Sequence, residues 1–121
     1  IMAEYLPLYK PGQSITCTAS ATITGGQVVA VSGDGTVGPA GAATAAWVGV
    51  AATDAANGDK FLVHCGGVQR IVASGGITAG AGVITGAAGT VATGLGTVGQ
   101  QVGIALTTAL DTALVEVLMV R

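Results

Sequence analysis

Aromatic side chains are nearly missing from this chain of 121 residues, which holds one Phe, two Tyr and one Trp. Aromatics bury the most area per residue, so an interior filled with Ala and Val gains less at every position. Charge is scarce as well. Four basic and six acidic residues are present, and none lies between Arg70 and Asp111. A soluble small domain ordinarily carries roughly a quarter to a third charged residues at its surface. Much of this surface must therefore be Thr, Gly, Ala and Gln, or be covered. The net charge of −2 excludes the basic stripe on which nucleic-acid binding depends.

Further absences narrow the chemistry. No apolar run approaches the ~20 residues of a membrane-spanning helix, because glycine interrupts the uncharged stretch every few residues. Glu4 and two prolines stand where a secretory leader would be apolar, so a soluble chain made in a cytoplasm is expected, with no membrane partner. The single histidine, His64, excludes any two-histidine metal site, and no H-E-x-x-H occurs. Its neighbour Cys65 is no partner for it, since adjacent strand residues face opposite ways. Asp54, Asp59 and Asp111 sit at turns, where Asp is a turn former, and Glu116 is the remaining acid in the second half of the chain.

Glycine loops give no phosphate site either. Gly80-Ala81-Gly82-Val83-Ile84-Thr85-Gly86 misses G-x-G-x-x-G, and Gly58-Asp59-Lys60 lacks the upstream glycines and the Ser/Thr of a Walker loop. Cys17 and Cys65 are not in a C-x-x-C spacing and read as small apolar residues rather than a disulfide or metal pair. No catalytic residue, metal or cofactor is expected, and the chain does not read as an enzyme.

What the chain does have is a repeat. Displaced by about 54 residues, its halves align without a gap, residues 15–63 on residues 69–117. Ile23-Thr24-Gly25-Gly26 falls on Ile77-Thr78-Ala79-Gly80, and Gly35-Thr36-Val37 on Gly89-Thr90-Val91. Val48-Gly49-Val50-Ala51 falls on Val102-Gly103-Ile104-Ala105. About 15 of about 49 positions are identical, where a composition this biased gives roughly 5 by chance. Two copies do not make a solenoid. They point to one domain, residues 13–121, built of two related halves.

Short β segments are predicted over Ser14–Ala19, Gln27–Val31, Trp47–Ala51, Lys60–His64, Val68–Ala73, Gly82–Thr85, Gln101–Leu106 and Leu114–Val120. Gly33-Asp34-Gly35, Asn57-Gly58 and Ala88-Gly89 supply tight turns. Strands at this spacing argue an all-β fold, a small barrel or sandwich with two pseudo-symmetric halves. Pairing between the halves would close the sheet. Ala42–Ala46 and Thr53–Ala56 are the stretches that suit a turn of helix. Trp47, the only tryptophan, is expected either in the core or at a subunit interface.

Residues 1–12 differ in kind. Tyr5-Leu6-Pro7-Leu8-Tyr9-Lys10-Pro11 holds both tyrosines and two of the three prolines and lies outside the repeat. Proline fixes φ and biases the preceding residue to extended geometry, so an extended arm is expected. Tyr5, Leu6, Pro7, Leu8 and Tyr9 are its candidate anchors. So thin a core and so uncharged a surface suggest that further burial comes from other subunits.

The order of motifs resembles a known family. Gly25–Val29, Val48–Asp59, Gly67-Val68, Ile77–Gly80, Val102–Leu106 and Val115–Leu118 together are similar to the tailed-phage capsid decoration (cement) proteins of the DUF2190 type. The likeness runs from about Gly12 onward, and the sparse charge departs from it. It implies a β-barrel-like domain that forms a homotrimer on the outer surface of a phage head and stabilises the shell. The partner it implies is a major capsid protein of the HK97-type fold, met on a virion assembled in the host cytoplasm. The alternative is a carbohydrate- or host-surface-binding β-module, for which exposed aromatics are few.

Overall fold

The computed structural model describes residues 6–121, and Tyr5, one of the predicted anchors, lies outside them. The strands are β1 (Ile15–Ala19), β2 (Val28–Gly33), β3 (Thr36–Pro39), β4 (Trp47–Ala51) and β5 (Lys60–His64) in the first half. The second half contributes β6 (Val68–Val72), β7 (Gly82–Thr85), β8 (Val91–Thr93), β9 (Gln101–Ala105) and β10 (Leu114–Met119). Ala42–Ala46 and Thr53–Ala56 are not helical. The first is a pair of turns, and in the second Ala55 bridges to Ile23. A stretch of four or five residues fixes too many dihedrals for too few hydrogen bonds to hold a helix. The short 3-10 turn is instead Ala87–Gly89.

The fold is all-β with two pseudo-symmetric halves, but the sheet does not close between them. Each half makes a sheet of its own. In the first, the order β1-β3-β2-β4-β5 closes into a barrel. Its seam is the parallel ladder Thr18↔Thr36 and Ala19↔Val37. The second sheet runs β6-β10-β9-β7-β8, the same order after displacement. Its seam keeps one parallel bridge, Ala73↔Val91, the counterpart of Ala19↔Val37. The seam has opened beside the 3-10 turn, which is engaged elsewhere: Gly89 N donates to Ala40 O at 2.9 Å, and Gln27 Nε2 to Ala88 O at 3.1 Å. Both bonds tie the turn to the first half.

The halves repeat in backbone detail. Val29↔Gly49 followed by Ala30↔Trp47 is a bulge between β2 and β4, and Val83↔Gly103 followed by Ile84↔Gln101 is the same bulge between β7 and β9. A Cβ on Gly49 would run into His64 O, and one on Gly103 into Leu118 O. Only glycine lets the neighbouring strand approach so closely.

Two cores result. Ala19, Ile23, Val29, Val37, Ala51, Ala55, Phe61 and Val63 fill the first barrel. Their counterparts Ala73, Ile77, Val83, Val91, Ala105, Ala109, Val115 and Val117 lie in the second core. That second core also takes in Val28, Ala30, Ala40, Trp47 and Val50 from the first half. One flank of the first barrel is thus covered by the other half of the chain.

Candidate functional site

Residues Leu6 to Gly12 form no strand or helix. Leu6 is 75% and Leu8 92% exposed, an apolar pair held out in water. Pro7 between them is also exposed. Tyr9 turns back toward the barrel, its hydroxyl accepting from Thr16 N at 3.4 Å. Behind it Lys10 and Gln13 make a turn, Gln13 N donating to Lys10 O at 3.1 Å and Lys10 N to Gln13 Oε1 at 2.6 Å. The segment is therefore fixed at its base on β1 and offers Leu6 and Leu8 beyond it.

Trp47 is not beside them. Of the two places the sequence left open, the structure gives it the core of the chain itself, at 1% exposure. Its indole Nε1 donates to Gly99 O at 3.0 Å, so the tryptophan joins the two halves.

Three of the aspartates are engaged in structure. Asp54 Oδ1 accepts from Gly25 N at 2.7 Å, Asp59 Oδ2 from Ala56 N at 3.1 Å and Asp111 Oδ1 from Gly75 N at 2.8 Å. These are turn and loop locks. His64 faces outward, with Nδ1 2.8 Å from Ser14 Oγ, and Cys65 packs against the first core. Both cysteines are free thiols, half-buried rather than fully buried. Burial pushes both thiols above their ordinary value, and for Cys17 the charge on Cys65 adds to it. Among the described residues no group of three or more His, Cys, Asp or Glu could hold a metal ion, and no helix is long and apolar enough to cross a membrane.

A second surface went unseen in the sequence. The outward side of the second sheet carries Val68 paired with Leu118, Arg70 with Glu116 and Val72 with Leu114. Leu118 also pairs with Ile104 on β9. All five of its leucine, isoleucine and valine positions are exposed. The Arg70 and Glu116 side chains approach to 3.9 Å between them. Where Val72 and Leu114 meet the first half, an open cleft of ≈ 270 Å³ separates them from Thr24–Gln27. The aligned repeat held the signal. At these outward positions the first half reads Ser14, Thr16, Thr18, Lys60, Leu62 and His64.

A closed β barrel joined to a second five-stranded sheet, with apolar side chains presented to solvent, is a scaffold suited to binding other proteins. Residues 9–120 match the model of the phage cement protein family, and the chain belongs to that family, whose members are structural phage proteins. Its fold is similar to that of the head fibre gp8.5 N base of bacteriophage phi29. The TM-score is 0.70 at 22% identity, covering 88% of this chain and 92% of that one. Among curated proteins nothing matches the sequence.

Proposed function

We propose that the protein decorates the outer surface of a phage head as a homotrimer and stabilises the shell, with its N-terminal segment meeting a major capsid protein of the HK97-type fold. Family membership supports the capsid role, and the observation that carries the rest is the exposure of Leu6 and Leu8 on a segment anchored at Tyr9. Leucines lose hydration cost only when something covers them, and an extended segment suits a neighbour's groove or sheet edge. Tyr5, Leu6, Pro7, Leu8 and Tyr9 are its contact residues. Cement action is then mass action. A protein that binds the finished shell and not its alternatives stabilises that shell by its differential affinity, multiplied over many lattice sites.

Co-sedimentation of the chain with matured shells tests this. Removal of residues 1–11 should abolish shell binding while the barrels stay folded, as read from Trp47 emission. A truncated chain that decorates shells at unchanged affinity overturns the role given to the segment. The sugar-binding alternative is weaker in three dimensions than in sequence. Trp47 is buried, leaving Tyr9 as the stacking surface among the described aromatic residues.

A further inference from the structure

We infer that the outward face of the second sheet, centred on Leu118 and Ile104, is an interface between copies of this chain. The inference rests on the self-association in the proposal above and not on its shell binding, and it names the surface that makes the contact.

The repeat supplies the argument, because it shows one scaffold twice with two different outsides. Inward positions are mostly apolar in both halves, with Gln69 in the place of Ile15 as an exception. Four of the six outward positions on the β1–β5 pair turn from polar to apolar on the β6–β10 pair, while Thr16 and Leu62 between them turn into the charged pair Arg70 and Glu116. Ser14 and His64 become Val68 and Leu118, and Thr18 and Lys60 become Val72 and Leu114. A barrel needs nothing apolar at those places, as the first half demonstrates with a Ser14–His64 hydrogen bond in the same row. The apolar set is therefore not required by the fold. Exposed apolar side chains clustered in this way, two pairs flanking one neutralised charge pair, mark an association site.

The occupant is indicated by what covers one position of the same row in the first half. There Val50 stands where Ile104 stands in the second, outward on the strand that pairs with β5. Val50 is 3% exposed and Ile104 44%. Val50 is buried in a core that Trp47 and Val28 share with the second half of this very chain. At Val50 the first half thus already packs against the other half of the molecule, while the corresponding Ile104 is bare. The bare face is continuous with that internal interface, since Val72 and Leu114 line the cleft between the halves. Its only charges, Arg70 and Glu116, face each other and cancel. A neutral apolar face suits a neutral apolar partner and gives a nucleic acid or an acidic surface nothing to bind. A second copy of the chain fits.

The experiment measures the mass of the full chain by native mass spectrometry for the unaltered protein and for Leu118→Lys, Ile104→Lys and His64→Lys. His64 holds the place of Leu118 in the first half and serves as the control. The unaltered chain and His64→Lys should assemble, while Leu118→Lys and Ile104→Lys should fall to the mass of a single chain with Trp47 emission unchanged. An unaltered chain that is monomeric, or charged variants that keep its mass, overturns the inference. Should the lysine variants unfold, hydroxyl-radical labelling of Leu118 and Ile104 in the unaltered chain decides. Labelling that rises as the assembly is diluted apart supports the interface, and equal labelling overturns it.

Shell binding separates the two readings. A monomer whose shell binding is lost in Leu118→Lys gives the face to the shell and overturns this inference and the homotrimer, leaving the decoration role standing. Assembly through Leu118 by a chain that binds no shell supports the interface and overturns the decoration role.

Discussion

Arg121 lays its guanidinium over the indole of Trp47, with Cζ 4.3 Å from the ring centroid. The same side chain donates to Ala45 O at 3.2 Å, to Gly99 O at 3.1 Å and to Trp47 O. One arginine therefore closes the end of the second core and ties the loop before β4 to the loop before β9. Planar, with donors on several edges, guanidinium can stack and bond carbonyls together, which an ammonium cannot. Removing it by Arg121→Ala should cost about 1–3 kcal/mol, from a cation–π contact and several carbonyl bonds. Arg121→Lys should recover less than half of that. Urea unfolding followed by Trp47 emission reads both, and an Arg121→Ala midpoint equal to that of the unaltered chain would dismiss the lock.

Gly49 and Gly103 provide a test of the duplication itself. Each sits at the same bulge, and an added Cβ at each meets a carbonyl oxygen of the facing strand. Backbone cannot swing aside as a flexible side chain can, so Gly49→Ala and Gly103→Ala should each destabilise by about 2 kcal/mol or more. Gly41→Ala, with nothing within 4 Å of its new methyl, should stay within about 0.5 kcal/mol of the unaltered chain. Chemical denaturation of the three variants checks the ordering. A tolerated methyl at either bulge glycine would mean that the close strand approach is not needed.

Much of this architecture was legible beforehand, and the reason is glycine. Turns at Gly33–Gly35 and Asn57-Gly58 bracket strands so tightly that Trp47–Ala51 and Lys60–His64 fall where periodicity places them. Which strand pairs with which was not legible. Strand pairing depends on long-range closure, and a repeat permits closure within a half as readily as between halves. The outward apolar row was present in the letters, at Val68, Val72, Leu114 and Leu118. It became visible only when register showed that these residues share a face with Ile104. Trp47 illustrates the converse. Its uniqueness marked it as important, but its partners Gly99 and Arg121 lie far along the chain and carry no local pattern.

At Thr112 the second half departs from the first at a cost. Its amide donates to Ala73 O at 2.9 Å, as that of Gly58 donates to Ala19 O at 2.8 Å. Both residues take left-handed backbone, with φ 68° and 91°. For a β-branched residue that conformation is strained, whereas glycine adopts it freely. Thr112→Gly should accordingly raise stability by about 0.5–1 kcal/mol once the greater chain entropy of glycine is set against the relief. Gly58→Thr should lower it by more than that gain. Thermal melts of the two variants give the signs directly, and a destabilised Thr112→Gly would show that the threonine side chain contributes more than its strain removes.

The paired thiols of the first barrel predict an alkaline limit to stability. Cys17 and Cys65 occupy the places that Ile71 and Met119 fill in the second half, and they pack against the first core. Burial favours their neutral form, so both pKa values lie above the ordinary thiol value of 9.0, and for Cys17 the proximity of Cys65 raises it again. The sign follows from proton linkage. Above pH 9.0 the unfolded chain releases thiol protons that the folded chain retains, so unfolding gains free energy as pH rises. The stabilisation is complete below that pH and declines through the folded values. Measured by urea midpoint, the unaltered chain should lose stability above pH 9 faster than the double variant Cys17→Ala with Cys65→Ala, whose profile should be flatter there. Ellman's reagent should also react more slowly with the folded chain than with the urea-unfolded chain at the same pH, because the thiolate is the attacking species. Equal slopes for the two chains above pH 9, or folded thiols that react as fast as unfolded ones, would show that the barrel does not hold these groups in their neutral form.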